Sequence, residues 1–382
     1  MRPAVPVFRT FVTELARARA ASVLAGGWLG YGPECRALEA RFVDMRGGFA
    51  LATGSCTSAL YVAALLLRER TVAREVIVPS LTFASTAIAF HHAGFRVRIA
   101  NVDPRDLMLT AATALPLIGN DTAAIVAVHL YGQRCAAIGE LRALCDAHAL
   151  ALIEDCAHRV DLLDNQRPAG DFACYSFNAV KELPCGEGGL LWGRRASDED
   201  VARAVSNAGL GIDTMERAAT ARHADYRFTA RSGLKLRLND VAAALVNGAL
   251  ESLCDSRARR ARQFAHYDER LTALSPAMRP LLRHADDSCL MYVLRVPAHQ
   301  RDAIRRHLAD RGVATSVHYP SLARHPLFAG AGASEIDIGD TLITLPSFPA
   351  MTEQEQSIVV DALKSADAEL TRPAGGPARA AR

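Results

Sequence analysis

The chain has 382 residues, 50% of them hydrophobic, enough for two domains or for one large domain with a smaller appendage. Its 44 basic and 41 acidic residues leave a net charge of +3, spread without a basic block or interleaved aromatics, which argues against a nucleic-acid partner. No apolar run reaches the ~18 residues of a membrane span, the N-terminus lacks the order of a signal peptide, and the cysteines include no CxxC pair, so reduced thiols, a cytoplasmic location and no metal site are expected.

Residues 10–25, rich in Ala, Leu and Arg, predict a helix ending near Gly26, before a loop over 28–33. Helical patterns follow at 34–45 and 57–70. Short β-branched runs then alternate with helices: strands are predicted at 75–79, 97–102, 123–128, 151–154, 174–177 and 189–192, with helices at 82–93 and 136–148. Strands that are apolar on both faces and separated by helices predict an α/β fold with a mostly parallel sheet covered on both sides. A long helical stretch from 239 to 274 marks a division near residue 245. Beyond it, runs at 291–296, 313–318 and 342–345 with helices near 300–311 and 352–366 predict a smaller α+β unit reaching residue 371. The small, basic, aperiodic stretch 372–382 is expected to be a disordered tail.

Lys181 follows Asp155 by 26 positions, and Asp155 closes an apolar strand. Pyridoxal 5′-phosphate (PLP) chemistry needs such a pair: an amine to condense with the aldehyde and a carboxylate to keep the pyridine nitrogen protonated. A lysine in so apolar a neighbourhood has its charge disfavoured, which lowers its pKa toward that of a usable nucleophile. Snorkelling from a strand edge to water is the plainer use of such a residue. Asp155 falls where ligands collect in open α/β sheets, although a solvated strand-end carboxylate would sit there too. His158 would orient that carboxylate or touch the cofactor, or serve the structure alone.

The hydroxyl-rich turn from Thr53 to Ser58 runs into an apolar helix, where a phosphate is well held at the positive helix end; an ordinary N-cap has the same composition. Phe83, between a strand and a helix, would stack on a flat cofactor or pack in the core.

The order and spacing of these stretches carry a resemblance. Trp28-Leu-Gly-Tyr-Gly-Pro33, Ser55-Cys-Thr-Ser-Ala-Leu60, Val76 to Thr86, Val128-His-Leu-Tyr-Gly132, Glu154-Asp-Cys-Ala-His158, Ser176-Phe-Asn-Ala-Val-Lys181, Gly186-Glu-Gly-Gly189 and Gly312 to Pro320 together resemble the DegT/StrS-type aminotransferases over roughly residues 20–365. These are fold-type-I PLP enzymes that mostly aminate keto sugars attached to nucleotides. The resemblance implies a PLP-binding large domain over 1–245 and a smaller α+β domain over 246–371. It places Lys181 as the Schiff-base lysine, Asp155 as partner of the pyridine nitrogen, Phe83 as the stacking ring, Thr57, Ser58 and Ser176 as phosphate ligands, and His158 against the cofactor. Lys235 matches a residue that reaches the neighbouring subunit's phosphate, implying a homodimer with shared sites. Asn178, Arg159, Arg237, His318 and Tyr319 are candidates for contact with substrate.

The implied reaction moves an amino group from an amino acid, glutamate or glutamine by analogy, to the keto carbon of a sugar, nucleotide sugar, cyclitol or related intermediate, with pyridoxamine phosphate between the two halves. Dehydration or aromatisation is the alternative within PLP chemistry, although the dehydratases of this resemblance carry His in place of Lys181; a PLP-binding protein without turnover is the third reading. The chain departs from the family's pattern at Arg159 to Leu163, Asn178, Glu182 to Cys185 and Ala208. These departures are expected around the mouth of the site, where they would change the acceptor.

Overall fold

The computed structural model describes residues 4–160, 167–220, 224–332 and 338–370. The expected tail over 372–382 and the departing residues 161–163 lie outside them. The chain runs α1 (Glu14–Gly26), α2 (Pro33–Arg46), β1 (Phe49–Thr53), α3 (Cys56–Arg70), β2 (Glu75–Pro79), α4 (Ser85–His92), β3 (Arg96–Ala100), α5 (Ala111–Ala114), β4 (Thr122–Val128), α6 (Ile138–Ala147), β5 (Ala151–Cys156), β6 (Phe172–Ser176) and β7 (Gly189–Gly193). Then come α7 (Glu199–Val205), α8 (Thr214–Ala219), α9 (Asp240–Glu251), α10 (Leu253–Arg270), β8 (Arg279–Pro280), β9 (Val293–Arg295), α11 (Ala298–Asp310), β10 (Leu342–Thr344) and α12 (Glu353–Leu370).

Seven strands form one sheet in the order β1-β7-β6-β5-β4-β2-β3. The pairs from β3 to β6 are parallel, and β7 runs against both of its neighbours. Strands β2, β4 and β6 are buried at every position, as a sheet covered on both faces requires. Apolar residues of α3 and α4 cover one face, and α6 covers part of the other. β8, β9 and β10 form a second, antiparallel sheet. It packs with α10, α11 and α12 around a core of its own that includes Phe264, Tyr292, Ile304 and Leu363.

Two local devices set the geometry near the parallel sheet's carboxyl edge. Ser55 caps α3, its Oγ accepting the Ser58 N–H at 3.0 Å, so the apolar helix starts immediately after β1. Gly189, at the start of β7, packs so tightly on this turn that a Cβ would stand 2.5 Å from the Cys56 nitrogen. Farther along, Gly248 lets α9 press on α1, where a Cβ would stand 2.4 Å from the Ala16 Cα.

The predicted strands of the large sheet are all present with ends shifted by a few residues, while β1 and the short helices α5, α7 and α8 add to them. The run 313–318 departs from expectation. It forms no strand; isolated bridges tie Val313 to Val5 and Ser316 to Thr344, and Tyr131 and Thr344 hold His318. Its bridging partners are a segment near the N-terminus and the end of β10, and Val5 and Val313 share one core with Ile343.

Candidate active site

Because β1, β2, β4, β5 and β6 point the same way, the segments that follow them meet at one edge. There they enclose a cavity of about 280 Å³, lined among others by Ser55, Thr57, Phe83, Thr86, Asp155, His158, Ser176, Asn178, Lys181, Glu187, Met291, His318 and Tyr319. Asp155 ends β5 and is buried. Its Oδ2 accepts from the Thr86 hydroxyl at 2.7 Å and its Oδ1 from the Ala157 N–H at 3.0 Å, so the carboxylate is held at both oxygens. Thr86 is in turn 2.8 Å from the Thr82 hydroxyl.

Lys181 lies in the loop after β6, whose turn is closed by the Lys181 N–H donating to the Asn178 carbonyl at 2.9 Å. Burial pushes its amine down to about 8, partly opposed by the negative charge of Asp155. Among the described residues no acceptor is bonded to its Nζ.

His158 is buried, and its tautomer follows from its partners. The Tyr131 backbone N–H donates to Nδ1 at 3.2 Å, so Nδ1 carries the lone pair and Nε2 the proton. Nε2 is 2.9 Å from the Tyr319 hydroxyl and donates to it, leaving the Tyr319 proton free for another acceptor. Burial and the nearby Lys181 hold the His158 ring neutral, well below the usual histidine range. His318 is pushed down to about 4, first by burial and then by Lys181, and its Nδ1 is 2.8 Å from the Thr344 hydroxyl. Phe83 is 58% exposed and offers a flat face to the cavity. A large exposed aromatic ring inside a cleft is poorly explained by packing alone.

The expected phosphate ligands divide. Thr57 and Ser176 line the cavity, whereas Ser58 is not among its lining residues, its Oγ lying 3.0 Å from the Ser55 Oγ. Ser55 takes the lining position. In the sequence it has the signature of a capping residue, and Thr86 stands three places after the more conspicuous Phe83. Glu187, inside the quoted Gly186 to Gly189 motif, accepts from the Asn178 Nδ2 at 2.8 Å at the cavity wall.

Several candidates lie elsewhere. Arg159 does not reach the cavity: it is 1% exposed, donates to the carbonyls of Gly132 and Asp286, and pairs with the Asp286 carboxylate at 3.2 Å. Among the described departures from the family pattern, Asn178 alone lines this cavity. Their expected place around the mouth is thus corrected for Arg159 and Glu182, whose charges are matched from behind. Lys235 and Arg237 line a second cavity of about 400 Å³, with Trp28, Tyr31 and Asn207. There Arg237 lies over the Tyr31 ring at 4.8 Å and 3.6 Å from Asp213, whereas Lys235 is exposed and makes no ion pair among the described residues.

All nine thiols are free, and no described helix is long and apolar enough to cross a membrane. His129, Glu154 and Cys156 lie close together, but hydrogen bonds account for the polar pair: His129 Nδ1 accepts the Cys135 N–H at 3.0 Å and its Nε2 meets Glu154 at 2.8 Å.

A free amine and a fixed carboxylate facing one cavity, at the carboxyl edge of a mostly parallel sheet, define the architecture of a fold-type-I PLP aminotransferase. The profile of the DegT/DnrJ/EryC1/StrS aminotransferase family matches residues 12–364, and the chain belongs to that family, whose members are PLP-dependent transaminases. Solved structures agree. The aminotransferase TlmJ from Streptoalloteichus hindustanus is 28% identical with a TM-score of 0.83, over 95% of this chain and 99% of that one. The sugar aminotransferase CalS13 from Micromonospora echinospora is 26% identical with a TM-score of 0.81, over 94% and 99%. DesI, solved in the presence of its TDP-sugar product, is 25% identical with a TM-score of 0.82, over 97% and 94%. The chain is an aminotransferase, and its family and neighbours support amination of sugars.

Proposed function

We propose that the protein takes an amino group from glutamate or glutamine and delivers it to the keto carbon of a sugar, nucleotide sugar, cyclitol or related intermediate, using PLP held by Lys181 and Asp155. The observation that carries this reading is the Lys181 amine, buried, lowered to about 8 and unbonded, on the same cavity as a carboxylate fixed at both oxygens. The residues present fit the cofactor. PLP, when bound, supplies an aldehyde to carry the amino group and a ring that draws electrons from the reacting carbon.

The chain's own groups do the rest. Asp155 presents a negative charge to the ring nitrogen, and Thr86 with the Ala157 N–H keeps that carboxylate from turning. Thr57, Ser55 and Ser176 offer hydroxyls to the phosphate at the N-terminus of α3, whose first N–H groups lack helical acceptors. Phe83, exposed on the cavity wall, would stack on the ring. Lys181 Nζ, lowered to about 8 and so partly unprotonated near neutral pH, would accept the proton from the donor's α-carbon and hold it for the transfer. Tyr319, its proton left free by His158, donates to an oxygen of the bound molecule.

Lys235 is exposed on the second cavity, away from Lys181, and in this reading it reaches the phosphate in a second copy, so the working unit is a homodimer. The separate core, built from residues 264–366 with Val5 of the N-terminal segment, supports a division near residue 245 into a PLP-binding unit and a smaller unit on which that segment packs. The nine free thiols fit the cytoplasm.

The test is to incubate the PLP-loaded protein with each donor and a panel of nucleotide-linked and free keto sugars and cyclitols. Formation of the donor's 2-oxo acid together with an aminated product is expected. Loss of water from the acceptor without any 2-oxo acid would overturn transamination.

A further inference from the structure

Glu182 follows the lysine and turns the opposite way, into a buried arrangement with α10. Its Oε1 accepts from Arg257 Nε at 2.8 Å, and its Oε2 accepts the Val160 N–H at 2.7 Å. Arg257 completes the ring, its Nη2 donating to the Val160 carbonyl at 2.6 Å. The pair thus grips both the N–H and the C=O of Val160, two positions after His158. One end of this arrangement adjoins Lys181 and the other adjoins His158, and those two side chains line the cavity. One turn along α10, Arg260 is buried and donates to the Leu290 carbonyl at 3.2 Å. It borders the space behind the lysine loop, which measures only about 10 Å³, room for about one water. That space leaves little room for the lysine loop to settle deeper.

We propose that Glu182 and Arg257 form a positioning clamp that sets Lys181 and His158 at a fixed separation, so that Glu182, a departure from the family's pattern, governs the lysine rather than the choice of acceptor. This rests on Lys181 being the amine that captures PLP. A bidentate arginine–carboxylate contact holds distance and angle together, which a lysine in place of Arg257 does not reproduce. Removing one partner leaves the other charged and under-bonded in a buried place, so either loss frees the same loop.

The experiment compares the PLP-loaded wild type with Glu182→Gln, Arg257→Met, Arg257→Lys and the double variant Glu182→Gln/Arg257→Met. It records the visible absorbance of the lysine-bound cofactor against pH, the melting temperature, and kcat and KM. We expect each single variant to move the absorbance midpoint by about half a unit or more and to lower kcat on the order of tenfold with KM little changed. The double variant should move no further than the singles, because both act through one clamp. Unchanged midpoints and kcat, with or without a fall in melting temperature, would overturn the proposal, leaving the pair as structural support only. Shifts that simply add would overturn it too. Absence of the absorbance from the wild type, or its persistence in Lys181→Ala, would overturn the clamp together with the reading of Lys181, and is distinguishable because it precedes any comparison of variants.

Discussion

Lys181 and Glu182 are adjacent, as are His158 and Arg159, yet one member of each pair faces the cavity and the other faces away. On the cavity side, groups keep unspent chemistry: an unbonded amine, a tyrosine proton turned loose by a neutral histidine, an exposed phenylalanine face. Behind it, the charges are matched, Arg159 with Asp286 and Glu182 with Arg257. The contrast teaches that a charged residue beside a catalytic position is no guide to substrate until its direction is known. In this chain the unfamiliar charges hold the wall up, and the familiar residues form its surface.

The sharpest way to break this contrast is at the amine itself. Lys181→Ala should bring multiple turnover below detection, and sustained turnover would remove Lys181 from the front wall. The same residue gives a stability test of opposite sign. Its folded pKa, about 8, lies below the unfolded value, so folding disfavours the charged form and native stability climbs as pH rises from about 8 toward the ordinary lysine value. With both proteins free of PLP, so that the amine is unblocked, Lys181→Met should therefore melt above the wild type at pH 7, the gain shrinking at higher pH; a lower melting point throughout would mean that the amine is paired.

Asp155→Asn ranks next, with kcat lower on the order of 10²–10⁴-fold, since a neutral amide no longer holds the ring nitrogen's proton. Steady-state rates near wild type would place the carboxylate outside the chemistry. Thr86→Val removes one charge-assisted bond to Asp155 and should cost about tenfold in kcat, read beside an unchanged melting curve. The smallest expected effect belongs to Lys235→Ala, which should raise the PLP concentration for half-saturation by about tenfold without altering the lysine-bound absorbance. A titration identical to wild type would take Lys235 out of the partner's site.

The alternation of apolar strands and helices made the large sheet readable, because burial on both faces leaves a continuous apolar run. β1 carries little sequence signal, being five residues, Phe49 to Thr53, flanked by glycines and poor in β-branched side chains. The short helices α7 and α8 are too brief for periodicity to declare itself. At the site, Asp155 and His158 at the end of β5 and Ser176 and Lys181 at the end of β6 meet at one cavity, because the two strands are parallel and reach the same edge. Direction was not readable. Glu182 turns back because of Arg257, 75 positions away, and Arg159 because of Asp286, 127 positions away. The second cavity around Lys235 and Arg237 is likewise built from distant segments, Trp28 to Tyr31 meeting 235–239.

The measurement that bears most directly on the account is identification of the residue that carries the cofactor. The PLP-loaded protein is reduced with borohydride, digested, and its peptides are weighed and sequenced by mass spectrometry. The pyridoxyl group is expected on Lys181 alone. Its stoichiometric recovery on Lys235 or Lys364, or recovery of unmodified Lys181 from fully loaded protein, would contradict the account.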